Sequence, residues 1–259
     1  LLLASCARPS QPTQPSETPK PTQPEPTATE SVSLPEQTDT GRMRVTFINP
    51  GISDPNDPTG GFWLSVSAFM EAAAEDLEID LEVIYSERDH ILMMQQAEEV
   101  VSRENLPDYL IVVNEKLAAD VMVQAADAAG LKVFLLLNTF TDEQMDEMGE
   151  PREKHPNWIG SVIPNNQAAG YEIARAVIES ALDANMLAED GQLHIVAIAG
   201  DASTPASVQR LDGLNQILSE YPNVQLDQGF YGEWSREKSK EQMRAKSGIS
   251  RSVCRSSIF

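Results

Sequence analysis

Tyr109-Leu110-Ile111-Val112-Val113 is an uninterrupted apolar run near the middle of the 259-residue chain. Pro107-Asp108 precedes it and Asn114-Glu115 follows it, so turn-forming and polar residues mark both ends. A short apolar run with such boundaries predicts a strand that is buried on both faces. The same reasoning predicts strands at residues 44–49, 79–85, 133–137, 158–162, 193–199 and 224–230.

Helical patterns fill the intervals between these strands. They occur at residues 62–77, 90–104, 117–129, 167–182 and 207–220. Regular alternation of buried strands and helices is typical of a parallel sheet that helices cover on both sides. A long loop at residues 141–157 separates two groups of these units. The sequence therefore predicts an α/β fold of two doubly wound parallel-sheet lobes, at residues 42–162 and 163–243.

The N-terminal stretch predicts the cellular compartment. An apolar stub ends in Leu3-Ala4-Ser5-Cys6, which resembles the lipobox of bacterial lipoproteins. Residues 1–6 are then the end of a signal peptide, and Cys6 carries the lipid that holds an exported protein to the cell envelope. The alternative is that Cys6 is an ordinary cysteine. Residues 7–41 are rich in Pro, Thr, Gln and Ser, which predicts a disordered tether.

The C-terminal stretch differs in composition from the rest of the chain. Residues 244–259 contain four basic residues and no acidic ones, whereas the whole chain carries a net charge of −21. No apolar periodicity is visible in this stretch. One interpretation is a genuine basic tail. The interpretation that composition favours is an atypical, non-native tail produced by a truncated or frame-shifted end.

Composition excludes several classes of function. The net charge of −21 argues against nucleic acid or anionic lipid as a partner, because an acidic surface repels both. The two cysteines, Cys6 and Cys254, cannot form a disulfide framework or a thiolate metal cluster. His90, His155 and His194 are scattered without the spacing of metal ligands, so no metal site is predicted.

Motifs of cofactor-dependent and acyl-transfer enzymes are absent from the sequence. No G-x-G-x-x-G follows the first strand, and neither a G-x-x-x-x-G-K-[ST] loop nor a G-x-S-x-G elbow occurs. No cofactor and no catalytic residue are therefore predicted. The chain is predicted to be a binding protein rather than an enzyme.

The residues that follow the strands form the candidate site, because ligands of open parallel sheets bind beyond the carboxyl ends of the strands. These positions are rich in Asn, Asp, Arg and aromatic residues: Asn49 and residues 62–63, 86–89, 114–115, 138–139, 165–166, 200–210 and 232–234. Amides donate and accept hydrogen bonds, Arg donates in a fork, and aromatic faces pack on C–H groups. This combination suits a sugar or another polyol.

Seven of these residues are the candidate ligand contacts: Phe62, Trp63, Asn114, Asn138, Asn166, Arg210 and Trp234. Each has a structural alternative. The aromatic residues could pack in the core or at a helix start, and the asparagines could cap the helices that follow them. Arg210 could form a surface ion pair with Asp212 or Glu220.

Four segments resemble the type I periplasmic binding proteins of sugar ABC transporters, the ribose- and galactose-binding class. The first is Gly60-Gly61-Phe62-Trp63, which leads into an Ala-rich helix. Residues 164–171 are similar to the family's crossing between lobes, and residues 200–214 are similar to its Ser-Ala-x-x-Arg-x-x-Gly-Phe block. Residues 233–238 are similar to its aromatic-x-Arg segment. The resemblance covers residues 43–243 in order.

The resemblance implies a role for each candidate. Phe62 and Trp63 would stack on the ligand, and Asn114 and Asn138 would bond its hydroxyls from the first lobe. Asn166 would lie near the hinge, with Arg210 and Trp234 reaching from the second lobe. The family's later Asn-Asp-x-x-Ala-x-Gly-Ala segment has no counterpart, which implies that the second lobe is incomplete. Asn138 and Asn165 stand where the family often has Asp, which argues against a simple pentose or hexose.

The expected function is that of an extracytoplasmic, lipid-anchored solute-binding protein. It would capture a small sugar or polyol between its lobes and deliver it to an ABC permease as a monomer. One alternative is a chemoreceptor that partners a membrane histidine kinase. An enzyme on a doubly wound fold and the effector domain of a transcription repressor are further alternatives, and the export signal argues against the repressor.

Overall fold

The computed structural model describes residues 41–57 and 61–249, which form two parallel sheets connected by helices. The strands are β1 (Arg44–Asn49), β2 (Asp80–Tyr85), β3 (Tyr109–Val112), β4 (Lys132–Leu136), β5 (Trp158–Val162), β6 (Leu193–Ala199) and β7 (Val224–Tyr231). The helices are α1 (Gly61–Asp76), α2 (His90–Val101), α3 (Ala119–Ala128), α4 (Asp142–Met148), α5 (Asn166–Asp183), α6 (Pro205–Leu218) and α7 (Arg236–Ile249). The predicted α/β fold class is confirmed.

The first sheet has the strand order β2-β1-β3-β4-β5, and every pairing is parallel. In β1, Val45 lies opposite Leu81 on one side and Tyr109 on the other. Five of the six β1 residues are buried, as expected for a strand covered on both faces. Because the strands run in one direction, their carboxyl ends meet along one edge of the sheet.

The core of the first lobe lies between this sheet and its helices. Fully buried members come from β1, α2, β3, α3, β4 and β5: Phe47, Ile48, Met93, Leu110, Met122, Leu135 and Trp158. Burial of such a side chain stabilises the fold by about 1.5–3 kcal/mol. The members that come from strands are buried because the strand sequences are apolar on both faces of the sheet.

The second sheet contains β6 and β7, which pair in parallel from Leu193 opposite Val224 onward. Its separate core includes Ile178 of α5, Leu193 and Ile217 of α6. Among the described strands, β6 pairs only with β7, whereas β1 lies between two partners. Most of β6 is accordingly only half-buried.

Two glycines allow α5 and α6 to approach each other closely. A Cβ on Gly170 would collide with the backbone carbonyl of Arg210, and a Cβ on Gly213 would collide with the carbonyl of Gln167. Helices with larger residues at such a contact must separate. The glycine pair therefore fixes where α6 presents its side chains.

Two helices differ from the sequence-based prediction. The predicted loop at residues 141–157 contains α4, which begins with a capping box between Thr141 and Gln144. Helix α7 continues through residue 244, where the atypical tail was predicted to begin, and ends at Ile249. Lys, Glu, Gln and Arg favour a helix without needing an apolar face, so periodicity did not reveal α7. Residues 250–259 lie outside the described part.

The N-terminal predictions also fall outside the described part of the chain. Cys6 and residues 7–40 of the predicted tether are not described. None of the helices that the structure describes combines the length and apolarity that a bilayer crossing requires.

His194 lies between two carboxylates at the start of β6. Its Nδ1 is 2.7 Å from Asp227 Oδ1, and its Nε2 is 2.9 Å from Asp190 Oδ2. The hydrogen bond to Asp227, and then that to Asp190, raise the pKa of His194 above its ordinary value. The folded state therefore binds a proton more tightly than the unfolded chain does.

We expect His194→Asn to reduce stability more at pH 6 than at pH 9. The stabilisation by protonated His194 is complete below its unfolded pKa of about 6.5 and is lost as the pH rises through the raised folded pKa. Urea unfolding of both proteins across this pH range measures the difference in free energy of unfolding. His90→Asn is the matched control, since no carboxylate contacts His90 among the described residues. A difference that stays constant with pH would contradict the assignment.

Candidate functional site

A cavity of about 270 Å³ lies at the carboxyl ends of the strands, with walls from both lobes. Six of the seven candidate residues line it: Phe62, Trp63, Asn138, Asn166, Arg210 and Trp234. Arg88, Glu115, Leu137, Pro164, Thr204 and Ala206 complete the lining. The first lobe therefore contributes loops to the cavity. The second lobe contributes α6 and the β7–α7 loop.

Trp63 is held by contacts at the end of β1. Asn49 Nδ2 donates to the Trp63 carbonyl at 3.1 Å and to Ser67 Oγ at 2.8 Å, while its Oδ1 accepts from the Gly51 amide at 2.8 Å. A Cβ on Gly51 would collide with the Trp63 side chain. The exposed Phe62 ring meets Trp63 edge to face at 5.1 Å between centroids. Trp63 is thus fixed, while Phe62 remains accessible.

Trp234 is held in a similar way by the end of β6. Its indole Nε1 donates to Asp201 Oδ2 at 2.8 Å. The other carboxylate oxygen accepts from the amides of Ser203 at 2.9 Å and Thr204 at 2.8 Å. A Cβ on Gly200 would collide with the indole ring, so the ring lies directly on the glycine backbone. Asp201 and Gly200 are therefore positioning residues for Trp234.

Asn138 connects the two lobes. It follows β4 and is 5% exposed, and its Oδ1 accepts from the Ala206 amide in the first turn of α6 at 3.1 Å. The amides of a first helical turn have no partner within the helix, so an external acceptor stabilises them. This bond places the start of α6 against the first lobe.

Several polar side chains of the cavity have hydrogen-bonding capacity that the described residues do not use. Asn166 Nδ2 donates to Gln209 Oε1 at 3.3 Å, but its buried Oδ1 has no partner. The buried Arg88 Nε also has none. Arg210 is exposed and makes no side-chain hydrogen bond among the described residues. Buried polar atoms without partners are uncommon and indicate a place for a ligand.

Comparison with known proteins agrees with this geometry. A family described as a periplasmic binding protein domain matches residues 53–248. The chain belongs to this family. The match confirms the predicted resemblance to type I periplasmic binding proteins of sugar ABC transporters. A search of curated proteins gave no match.

Solved structures of periplasmic binding proteins share the fold. A periplasmic sugar-binding protein from Pseudomonas fluorescens is 33% identical with a TM-score of 0.69, and the alignment covers 82% of this chain and 58% of that one. A solute-binding protein from Actinobacillus succinogenes with bound D-allose is 16% identical, with a TM-score of 0.66 and coverage of 82% and 66%. One from Mycobacterium smegmatis with bound glycerol is 18% identical, with a TM-score of 0.64 and coverage of 82% and 64%. The chain thus spans less than two thirds of each structure.

Asn114 is the one candidate that this periplasmic binding protein domain does not bring to the cavity. Its Nδ2 donates to the Thr139 carbonyl and to Gln144 Oε1, both at 2.8 Å. Its Oδ1 accepts from the Ala119 amide at 3.1 Å. Asn114 therefore joins the ends of β3 and β4 to the start of α3 and to α4. Its amide hydrogens are both used within the protein.

Two further lining residues are Arg88 and Glu115. The sequence predicted that both follow strands, but neither was predicted to contact a ligand. Glu115 is 8% exposed, and no hydrogen bond of its carboxyl is present among the described residues. Burial, and then the charge of Asp201, raise the pKa of Glu115 to about 7, although Arg88 and Lys116 act in the opposite direction. An acid with a shifted pKa in a cleft indicates a candidate functional residue, and composition alone could not reveal that shift.

The charge of Asp201 is retained. Burial alone would raise the pKa of Asp201, but hydrogen bonds from Thr204, Ser203 and the Trp234 indole outweigh burial and hold it well below its ordinary value. Two acids of one cleft therefore differ in charge at pH 6. Asp201 is ionised and fully bonded, whereas Glu115 is mostly neutral.

The loops around the cavity have restricted backbone conformations. In residues 41–57 and 61–249, ten non-glycine residues have positive φ, and seven of them follow strands at this edge: Glu87, Arg88, Lys116, Leu117, Leu137, Glu233 and Trp234. Such conformations are costly and persist where the surrounding structure imposes them, commonly at ligand sites. The strained positions thus concentrate at the edge of the sheet that carries the cavity.

The arrangement is suited to non-covalent binding. Aromatic rings come from both lobes, and amide, guanidinium and carboxyl groups supply hydrogen bonds. Within the described ranges, no group of three or more His, Cys, Asp or Glu side chains could hold a metal ion. The geometry fits a polyol of monosaccharide size.

We expect Glu115→Gln to become more stable relative to wild type as the pH rises from 4.5 to 8. A carboxyl whose pKa is raised from 4.5 to about 7 in the folded state contributes stability at low pH that is lost as the pH rises through the folded value. The relative gain should reach roughly 3 kcal/mol. Urea unfolding at several pH values measures it. The exposed Glu71→Gln is the control, and equal pH profiles for the two variants would contradict the prediction.

Proposed function

We propose that this chain is an extracytoplasmic solute-binding protein that captures a small sugar or polyol between its two lobes. The proposal includes no covalent step. Closure of two lobes on a ligand shifts an equilibrium between open and closed forms, and the closed form presents a joint surface to a membrane partner. The partner that the family favours is an ABC permease. A sensor histidine kinase would use the same closed form.

The observation that carries the proposal is the pair Trp63 and Trp234. One tryptophan comes from each lobe, both line one cavity, and each is fixed by a glycine and a hydrogen-bonded polar residue. A sugar ring offers C–H groups to aromatic faces and hydroxyls to polar atoms. Rigid aromatic rings with unpartnered polar atoms beside them suit that chemistry.

The proposed ligand contacts are Phe62, Trp63, Asn138, Asn166, Arg210 and Trp234. Asn138 keeps its Nδ2 for a ligand, because only its Oδ1 is engaged by Ala206. Asn166 offers its unpartnered Oδ1. For Asn114 we propose a positioning role, because it joins strand ends that form the cavity wall.

A thermal-shift screen over sugars, polyols, amino acids and nucleosides tests the ligand class. A compound at one hundred times its Kd stabilises the folded state by about 2.7 kcal/mol, which raises the Tm by about 5 °C or more. We expect sugars or polyols to give such shifts. Shifts from amino acids or nucleosides alone would contradict the proposal.

Calorimetry with a compound found in this way tests the site. Trp234→Ala, and Gly200→Ala, which displaces the ring without removing it, should each raise Kd by at least about tenfold. The controls are Phe69→Ala on the exposed face of α1 and Gly229→Ala, where a Cβ meets no atom within 4 Å. Equal affinities in all four variants would exclude this cavity as the site.

The proposed localisation is the cell envelope, with residues 1–6 as the end of a signal peptide, residues 7–41 as a tether and a lipid on Cys6. When the natural gene is expressed in bacteria, we expect wild type in the membrane fraction and Cys6→Ser in the soluble fraction, because acyl chains supply the membrane affinity. Cys254→Ser, which changes the second of the two cysteines, is the matched control. Membrane association of Cys6→Ser would refute the lipid anchor.

A further inference from the structure

Two arginines of the cavity carry guanidinium groups that form no ion pair in the described part of the chain, although the charge of Arg88 acts on the carboxyl of Glu115. Arg88 comes from the loop after β2 in the first lobe, and Arg210 comes from α6 in the second. Neither forms an ion pair or a side-chain hydrogen bond among the described residues, and Arg88 Nε is buried without a partner. Elsewhere, Arg103 forms a fork with Glu82 at 2.7 and 3.2 Å. In a chain with 40 acidic and 19 basic residues, this cavity holds two guanidinium groups without an ion pair, and one of them has a buried Nε without a hydrogen bond within the described ranges. An anion in the cavity would supply partners for both.

Neither Glu115 on the lining nor the nearby Asp201 supplies that anion. Both oxygens of Asp201 are occupied by Ser203, Thr204 and Trp234. Glu115 holds its proton up to about pH 7, since burial outweighs the attraction of Arg88. Asn138 and Asn166 on the lining carry amides, so Glu115 is the acidic residue among the lining residues. The local charge is therefore positive below neutral pH.

We propose that the ligand of this cleft is a sugar acid, a polyol whose carboxylate is bound by Arg88 and Arg210. The inference rests on the proposed function and specifies its ligand class. A guanidinium presents paired N–H donors that match the two oxygens of a carboxylate. Because one arginine comes from each lobe, a bound carboxylate would favour the closed form over the open one.

The net charge of −21 opposes this choice at long range. Exposed charges are screened beyond about 10 Å at 0.1 M salt, so they slow the approach of an anion more than they weaken its binding in the cavity. Inside the cavity, the nearest groups decide the affinity. Those groups are the two guanidiniums, the ionised carboxylate of Asp201 beside the cavity, and a carboxyl, that of Glu115, which is neutral below about pH 7.

The test compares matched pairs of neutral and acidic probes on the full chain at pH 6: D-galactose with D-galacturonate, D-glucose with D-glucuronate and D-gluconate, and L-arabinose with L-arabinonate. At least one acid should bind about tenfold more tightly than its neutral counterpart. Arg88→Gln and Arg210→Gln should each remove that preference. Arg175→Gln, which breaks an exposed ion pair with Glu172 on α5, should leave it unchanged. Circular dichroism confirms that each variant is folded.

The outcomes separate this inference from the proposed function. If a neutral sugar binds as tightly as its acid or more tightly, the receptor function stands and the sugar-acid inference is overturned. The inference also fails if the acid preference survives both cavity substitutions. If no sugar, polyol or sugar acid binds, the proposed function itself is overturned.

The pH dependence provides an independent readout. The charges that act on Glu115 are those of Arg88, Asp201 and Lys116. Arg88 lies in the β2–α2 loop, Asp201 lies in the β6–α6 loop, and Lys116 is the next residue in the chain. Arg210 lines the same cavity. If the anion binds the form with protonated Glu115, the fraction of that form rises about tenfold from pH 8 to pH 6, and Kd falls by the same factor. The probe stays ionised in this range, since carboxyl groups of small molecules titrate near pH 3–4.

Glu115→Gln should bind the acid at pH 8 as tightly as wild type binds it at pH 6, with a flat profile between. Calorimetry at pH 6, 7 and 8 measures both profiles. A wild-type Kd that is independent of pH, or one that rises as the pH falls, would overturn the contribution of Glu115. Glu71→Gln should retain the wild-type profile.

Discussion

The common direction of the strands is the constraint on which the site depends. Parallel pairing brings the carboxyl ends of β1 to β4 to one edge of the first sheet, so loops distant in sequence meet there. Antiparallel pairing would alternate these ends between two edges and scatter the same residues. The apolar strands thus determine where the polar residues gather. The core residues of these strands do not themselves line the cavity.

The two lobes fix an aromatic ring by the same physical means. After β1, a buried Asn49 and a close glycine, Gly51, hold Trp63. After β6, a carboxylate, Asp201, and a close glycine, Gly200, hold Trp234. In each case the ring lies close to backbone because the glycine has no Cβ. Asp201 also accepts a hydrogen bond from the indole of Trp234, whereas Asn49 bonds the main-chain carbonyl of Trp63. Rigid rings lose little conformational entropy when a ligand binds.

Sequence patterns predicted the strands because each one is a short apolar run, and the confirmed fold follows from them. Periodicity failed where local chemistry forms a helix without an apolar face. The capping box that begins at Thr141 was visible in the sequence, yet the segment was predicted to be a loop. Asn114 and Asn138 show the limit for the site. Both follow apolar strands. The side-chain amide of Asn114 donates to Thr139 and Gln144, whereas that of Asn138 accepts from α6 of the other lobe. No local sequence pattern encodes that difference.

Desolvation explains why the charges of the cavity differ from those that composition indicates. A chain with a net charge of −21 would be expected to attract cations. Yet Glu115 on the lining is neutral below about pH 7, and the nearby Asp201 is bonded within the protein. Burial penalises a charge unless hydrogen bonds compensate it, and Asp201 has those bonds while Glu115 does not. The same rule applies to Arg88, whose buried Nε has no partner in the protein. The local balance of burial and hydrogen bonds, rather than the net charge, therefore sets which ligand the cleft prefers.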